Sequence, residues 1–140
     1  ANRGYYREPH PVRDIGGLGK PAGIDLIHNL DILPKHFETV VNAMQNVIED
    51  SNGTGNLAQI DGITICGKTG TVQNKDKEDH SVFIAFAPRD NPKIALSVYV
   101  EYAGSGGEWA APIAGLLVEK YLTDTVSNTL REDRILTFQP

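Results

Sequence analysis

The 140-residue sequence has one cysteine, one methionine and one tryptophan. A lone cysteine, Cys66, excludes an internal disulfide and any metal site built from several thiolates. His10, His28 and His36 show no ligand spacing, and zinc sites need several ligands at short regular intervals. No metal and no cofactor is therefore expected. Positive charge is in deficit, with 13 Lys and Arg against 18 Asp and Glu, for a formal net charge of -5. That balance excludes an evident nucleic-acid-binding surface, which needs clustered cations. No run of eighteen apolar residues occurs, so no stretch reads as a membrane-spanning helix. Nothing resembles a signal peptide. The chain opens on Ala1-Asn2-Arg3-Gly4-Tyr5-Tyr6 rather than on methionine. This reads as the end of a helix entering a turn, with the expectation that the natural N-terminus lies elsewhere.

What is present is ordinary for a globular domain: 40% hydrophobic and 22% charged residues, enough to build a core in one compact domain or a large piece of one. Residues 1–35 are dense in Gly and Pro and predict loops with short extended pieces, one at Val12–Ile15. Phe37, Val40, Val41, Met44, Val47 and Ile48 recur at helical spacing, which predicts an amphipathic helix over 36–49. Asn52-Gly53 is expected to end it, glycine adopting the left-handed conformation common at helix ends. Three strands follow. The first runs over Ile63–Cys66 and extends toward Val72, the second over Val82–Ala87, and the third over Ile94–Tyr102. Together they form an antiparallel meander. The charged stretch Lys75–Asp79 suits an exposed hairpin tip. A helix is expected to begin near Pro112, and a short turn near Leu130–Asp133. Cys66 reads as a buried structural thiol.

Gly62-Ile63-Thr64-Ile65-Cys66-Gly67-Lys68-Thr69 matches the phosphate-loop pattern G-x-x-x-x-G-K-S/T literally. That pattern works only where a tight loop opens a helix whose N-terminus faces the anion. Ile, Thr, Ile and Cys prefer extended backbone, and Gly70-Thr71-Val72-Gln73 is a poor helix start. A small nucleotide-binding domain using Gly62–Thr69 stands as the alternative reading. On a strand, Lys68 is expected to face a cleft and Thr69 the opposite side. Gly70 leaves room for a ligand to approach the backbone. Thr71 is expected to return a hydroxyl to the side of Lys68, so that a cation and a hydroxyl together hold a carboxylate.

Longer stretches sharpen this. Gly53-Thr54-Gly55 and Cys66-Gly67-Lys68-Thr69-Gly70-Thr71-Val72-Gln73 resemble the G-T-A and A-G-K-T-G-T-A-Q segments of class B penicillin-binding proteins. Asp79-His80-Ser81-Val82-Phe83-Ile84-Ala85-Phe86-Ala87-Pro88 resembles that family's D-H-A-W-F-x-G-F-A-P strand. Asn91–Ala95 and Ala110–Ala114 resemble its next turn and its C-terminal helix. The likeness runs in order over residues 1–122 and is closest to the elongation-specific, penicillin-binding protein 2 branch. It implies an α+β fold, an antiparallel sheet with helices packed on it, as part of a serine β-lactamase/transpeptidase-like domain. Residues 1–140 would be its C-terminal part, with 122–140 a tail. It further implies that Lys68 joins the catalytic hydrogen-bond network, and that Thr69 and Thr71 contact the substrate carboxylate. Gly70 would lie in the substrate-binding strand, and the Thr71 N–H would form part of the oxyanion hole. His80 either helps shape the rim of the site or simply closes a loop.

The same resemblance exposes an absence. The family's S-x-x-K nucleophile and S-x-N site are missing, since none of Ser51, Ser81, Ser97, Ser105 and Ser127 has Lys three residues on or Asn two residues on. The expected activity is a serine-type peptidoglycan D,D-transpeptidase whose nucleophile lies upstream, these 140 residues alone being inactive. Expected partners are peptidoglycan stem peptides, β-lactam antibiotics and the cell-elongation machinery, at the periplasmic face of a bacterial inner membrane. The strand at Ile94–Tyr102 is expected to present an open edge and to drive self-association. A binding module without chemistry is the third reading.

Overall fold

The computed structural model describes residues 1–9, 16–17 and 26–137. They divide into two compact units, Asn2–Thr39 and Val40–Pro140.

In the first unit, β1 (Tyr5–Arg7) pairs antiparallel with β2 (Ile27–Asn29), Tyr6 standing opposite His28. Gly4, at φ +111°, packs so closely on Phe37 that a Cβ would lie 2.9 Å from its ring. Arg3 and Glu38 form an ion pair at 2.5 Å. The expected strand at Val12–Ile15 lies outside the described residues. The predicted helix is α1 (Pro34–Glu49), which belongs to the second unit from Val40 onward. It starts two residues earlier than its apolar stripe suggests, because proline is well suited to a first helical position.

The second unit is built on a three-stranded antiparallel sheet, order β3-β4-β5. Its strands are β3 (Cys66–Val72), β4 (His80–Ala87) and β5 (Ile94–Val100). Register sorts the side chains by face. Phe83, Ala85 and Ala87 lie opposite Val98, Leu96 and Ile94. With these pack Ala110, Ala111, Ala114 and Val118 of α2 (Ala110–Thr123), forming the main core. Cys66 and Phe86, opposite one another in the β3–β4 register, take the other face and meet Val41 and Met44 of α1. Helices thus pack on both faces of the sheet. Cys66 is buried as expected, its thiol donating to the Val41 carbonyl at 3.7 Å. A last helix, α3 (Thr129–Leu136), is capped by Asn128, whose Oδ1 accepts from the Arg131 N–H at 2.9 Å.

Several sequence-based expectations are corrected. The first strand begins at Cys66, while Ile63 makes only an isolated bridge to Ile60. Gly62, at φ +76°, turns the chain there, and the turn overrides the β-branched preference of Ile63 and Thr64. The third strand ends at Val100, because Tyr102 at φ +54° breaks it. Gly53 does not end α1 by left-handed backbone. A Cβ there would stand 2.4 Å from the Val47 carbonyl, so glycine is needed for close approach to the helix end. The turn foreseen at Leu130–Asp133 is the full helix α3.

Candidate functional site

β3 is an edge strand among the described residues, paired only with β4. Its first residues, Cys66 and Gly67, are buried, Lys68 is exposed, Thr69 and Gly70 are half-buried, and Thr71 and Val72 are exposed. Gly67 passes over Phe83 so tightly that a Cβ would sit 2.4 Å from the ring. The buried end is therefore pinned to the core and the open end carries the polar residues.

The register places Lys68 opposite Ile84, Thr69 opposite Phe83, Gly70 opposite Val82 and Thr71 opposite Ser81. Thr71 therefore shares its face with Thr69 and not with Lys68, contrary to the expected pairing of Lys68 and Thr71 hydroxyl. The reason is the two-residue period of a strand: positions three apart point to opposite faces. Lys68 and a hydroxyl do come together, by another route. The long Lys68 stem carries its ammonium around the sheet edge, where Nζ donates to the Thr69 carbonyl at 2.7 Å and reaches Thr69 Oγ1 at 3.4 Å. Thr69 Oγ1 is itself 2.8 Å from Thr54 Oγ1.

The Lys68 contact also marks the direction of the backbone. In an antiparallel strand the N–H and C=O of one residue point to the same side, and successive residues alternate. The Thr69 carbonyl receives its donor at the edge, so the Thr71 N–H is directed to that same open edge. An ammonium, a hydroxyl and a backbone N–H thus line the outer margin of β3. Gly70 meets only ordinary contacts, a Cβ there lying 3.5 Å from Val82 Cβ. Packing on the Val82 side would accept a side chain, so it is not what calls for glycine.

Two glycines, Gly106 and Gly107, back the site, and neither belongs to the stretches that resemble a known family. A Cβ on Gly106 would lie 2.3 Å from the carbonyls of both Gly70 and Val82, and one on Gly107 would lie 2.2 Å from the Thr54 carbonyl. Ser81 completes this backing. Buried opposite Thr71, its hydroxyl donates to the Ser105 carbonyl at 2.8 Å and accepts the Ala110 N–H at 3.0 Å. The signal for this tight approach was the pair Gly106-Gly107 itself. His80 closes the β3–β4 connection: its Nδ1 accepts the Tyr102 N–H at 3.1 Å and its ring stacks on Tyr99.

No phosphate loop forms. Lys68 and Thr69 lie mid-strand and β3 continues to Val72, so no helix N-terminus follows to face an anion. Among the described residues no cluster of three or more His, Cys, Asp or Glu could hold a metal ion.

Comparison with known proteins gives a consistent set of likenesses. The family model for the penicillin-binding protein transpeptidase domain matches residues 1–119. The chain is 34% identical over 140 residues to the peptidoglycan D,D-transpeptidase MrdA of Haemophilus influenzae, covering 86% of this chain and 22% of that protein. It is 31% identical over 150 residues to the MrdA of Acinetobacter baumannii, covering 94% of this chain and again 22% of the relative. Among solved structures it resembles Pseudomonas aeruginosa PBP2 in complex with WCK 5153, with a TM-score of 0.72 and 31% identity over 91% of this chain and 29% of that one. It also resembles the ceftriaxone acyl-enzyme of penicillin-binding protein A from Mycobacterium tuberculosis, with a TM-score of 0.59 and 27% identity over 70% of this chain and 23% of that one.

Proposed function

Because the chain belongs to the penicillin-binding protein transpeptidase family, we propose that it forms one wall of the active site of a peptidoglycan D,D-transpeptidase. The observation that carries this is the ammonium of Lys68 meeting the carbonyl and hydroxyl of Thr69 at the open margin of an edge strand. A stem peptide lies along that margin as an added strand, its main chain pairing with β3. Its terminal carboxylate accepts from the Thr69 hydroxyl and is drawn by the Lys68 charge. The carboxylate of a β-lactam takes the same place.

The chemistry is acyl transfer in two steps. A serine oxygen attacks the peptide carbonyl, and the resulting tetrahedral oxyanion accepts from the Thr71 N–H. A preorganised donor of this kind contributes about 3–4 kcal/mol to transition-state stabilisation. The intermediate collapses to a serine ester and releases the terminal amino acid with the serine's proton on its nitrogen. The amine of a second stem peptide then attacks the ester, forming the cross-link and freeing the serine. Lys68 sits within the hydrogen-bond network that conducts these protons. None of the five serines here stands in S-x-x-K, so the nucleophile comes from a part of the enzyme outside these 140 residues. The complete enzyme works at the periplasmic face of the bacterial inner membrane with the cell-elongation machinery.

Fluorescent penicillin tests this directly. The full-length protein carrying this sequence becomes covalently labelled and the isolated 140 residues do not. Labelling of the isolated chain, or none of the full-length protein, overturns the reading.

A further inference from the structure

Thr54 lies outside the strand that carries the proposed chemistry, yet its Oγ1 stands 2.8 Å from Thr69 Oγ1. Its backbone is held on both sides. Gly55 donates its N–H to the Val47 carbonyl at 2.8 Å, and Gly107 packs against the Thr54 carbonyl with no room for a side chain. The Thr54 side chain itself is exposed. A short rigid loop therefore presents one hydroxyl to the margin of β3.

The valences of Thr69 Oγ1 give that contact a direction. A hydroxyl offers one proton and two lone pairs, an ammonium only donates, and a carboxylate only accepts. The Lys68 ammonium at 3.4 Å occupies one lone pair. If Thr69 donated to Thr54, no proton would remain for a carboxylate. If Thr54 donates to Thr69, both lone pairs of Thr69 are engaged and its own proton points outward. Carboxylate binding selects the second arrangement.

We propose that Thr54 is a positioning residue that holds the Thr69 hydroxyl as a donor to the substrate carboxylate. This rests on the transpeptidase reading and adds to it a residue that does not touch the reacting atoms. The effect is specific to ligands with a free carboxylate. The Thr54 hydroxyl is exposed and its removal leaves no buried group unpaired, so it carries little of the fold's stability.

The test uses the full-length enzyme and two acylating probes, benzylpenicillin and its methyl ester, with the second-order acylation rate constant as readout. Thr54→Val lowers the rate for the free acid by about three- to tenfold, the size of one hydrogen bond, and leaves the ester within about twofold. Thr54→Ala shows the same split without the β-branch, and Thr54→Ser restores the acid rate. An equal loss for acid and ester assigns Thr54 a merely structural role and overturns the proposal, as does an unchanged acid rate. A wild-type enzyme that neither probe acylates overturns the transpeptidase reading, and this inference with it.

Discussion

The α-carbon of Gly67 rests on the ring of Phe83, with 2.4 Å between an imagined Cβ and Phe83 Cζ. Phe83 is fully buried and lies opposite Thr69 in the register. The ring thus sets the height of the strand just before Lys68 and Thr69. Gly67→Ala forces either the ring or the strand to move. Overpacking of this kind costs about 1–3 kcal/mol, to be read as a lower urea midpoint. The full-length enzyme should also lose penicillin-labelling rate, because the displaced strand carries the Thr71 N–H. Unchanged stability and labelling would show that the strand gives way freely.

Ser81→Ala removes a hydroxyl that donates to Ser105 and accepts from Ala110. The Ala110 N–H lies at the start of α2, where backbone donors have no helical partner, and the site is buried. The expected loss is about 1–3 kcal/mol, the cost of leaving buried polar groups unpaired. Thermal unfolding measures it. Ser81→Thr keeps the hydroxyl, and a variant that binds the same partners should recover part of the loss.

Lys68→Met keeps much of the stem and removes the charge. In the full-length enzyme it should slow penicillin acylation by at least about a hundredfold, through loss of charge at the carboxylate and of the proton network. Its unfolding midpoint should stay near wild type, because Lys68 is exposed. Stopped-flow labelling separates the two effects, and a parallel fall in stability would argue for a structural lysine.

β5 pairs only with β4 among the described residues, so its outer edge has no partner strand there. Unpaired backbone on an edge invites pairing with another chain. The 140-residue chain should form dimers or larger species at high concentration. Ser97→Lys, at an exposed position of β5, should shift them toward monomer. Sedimentation velocity over a concentration series decides it, and a wild-type monomer throughout counts against an adhesive edge.

Much of this was legible along the chain because it depends on local periodicity. The stripe from Phe37 to Ile48 gave α1, and the runs around Cys66, Phe83 and Val98 gave the meander, since burial of one face leaves its period in the sequence. That Lys68-Thr69-Gly70-Thr71 is a strand and not a phosphate loop was legible from the poor helix start after it and the extended preference of the residues before it, although β3 itself begins only at Cys66. The ends of elements were harder. The late start of β3 and the early end of β5 depend on the positive φ of Gly62 and Tyr102, and the last of these is a conformation that residue type does not announce.

The sequence by itself determined the family, the sheet order implied by a meander, and the absence of a serine in S-x-x-K. These are properties of residue type and spacing. Only the tertiary structure decided how the site residues meet. Lys68 and Thr71 stand on opposite faces of their strand, and Lys68 reaches Thr69 by bending around the outer margin of β3. Thr54, fifteen positions away, supplies the neighbouring hydroxyl. That approach depends on Gly106 and Gly107 letting two backbones touch. Contacts between distant segments arise from register and close packing, and neither leaves a period in the sequence.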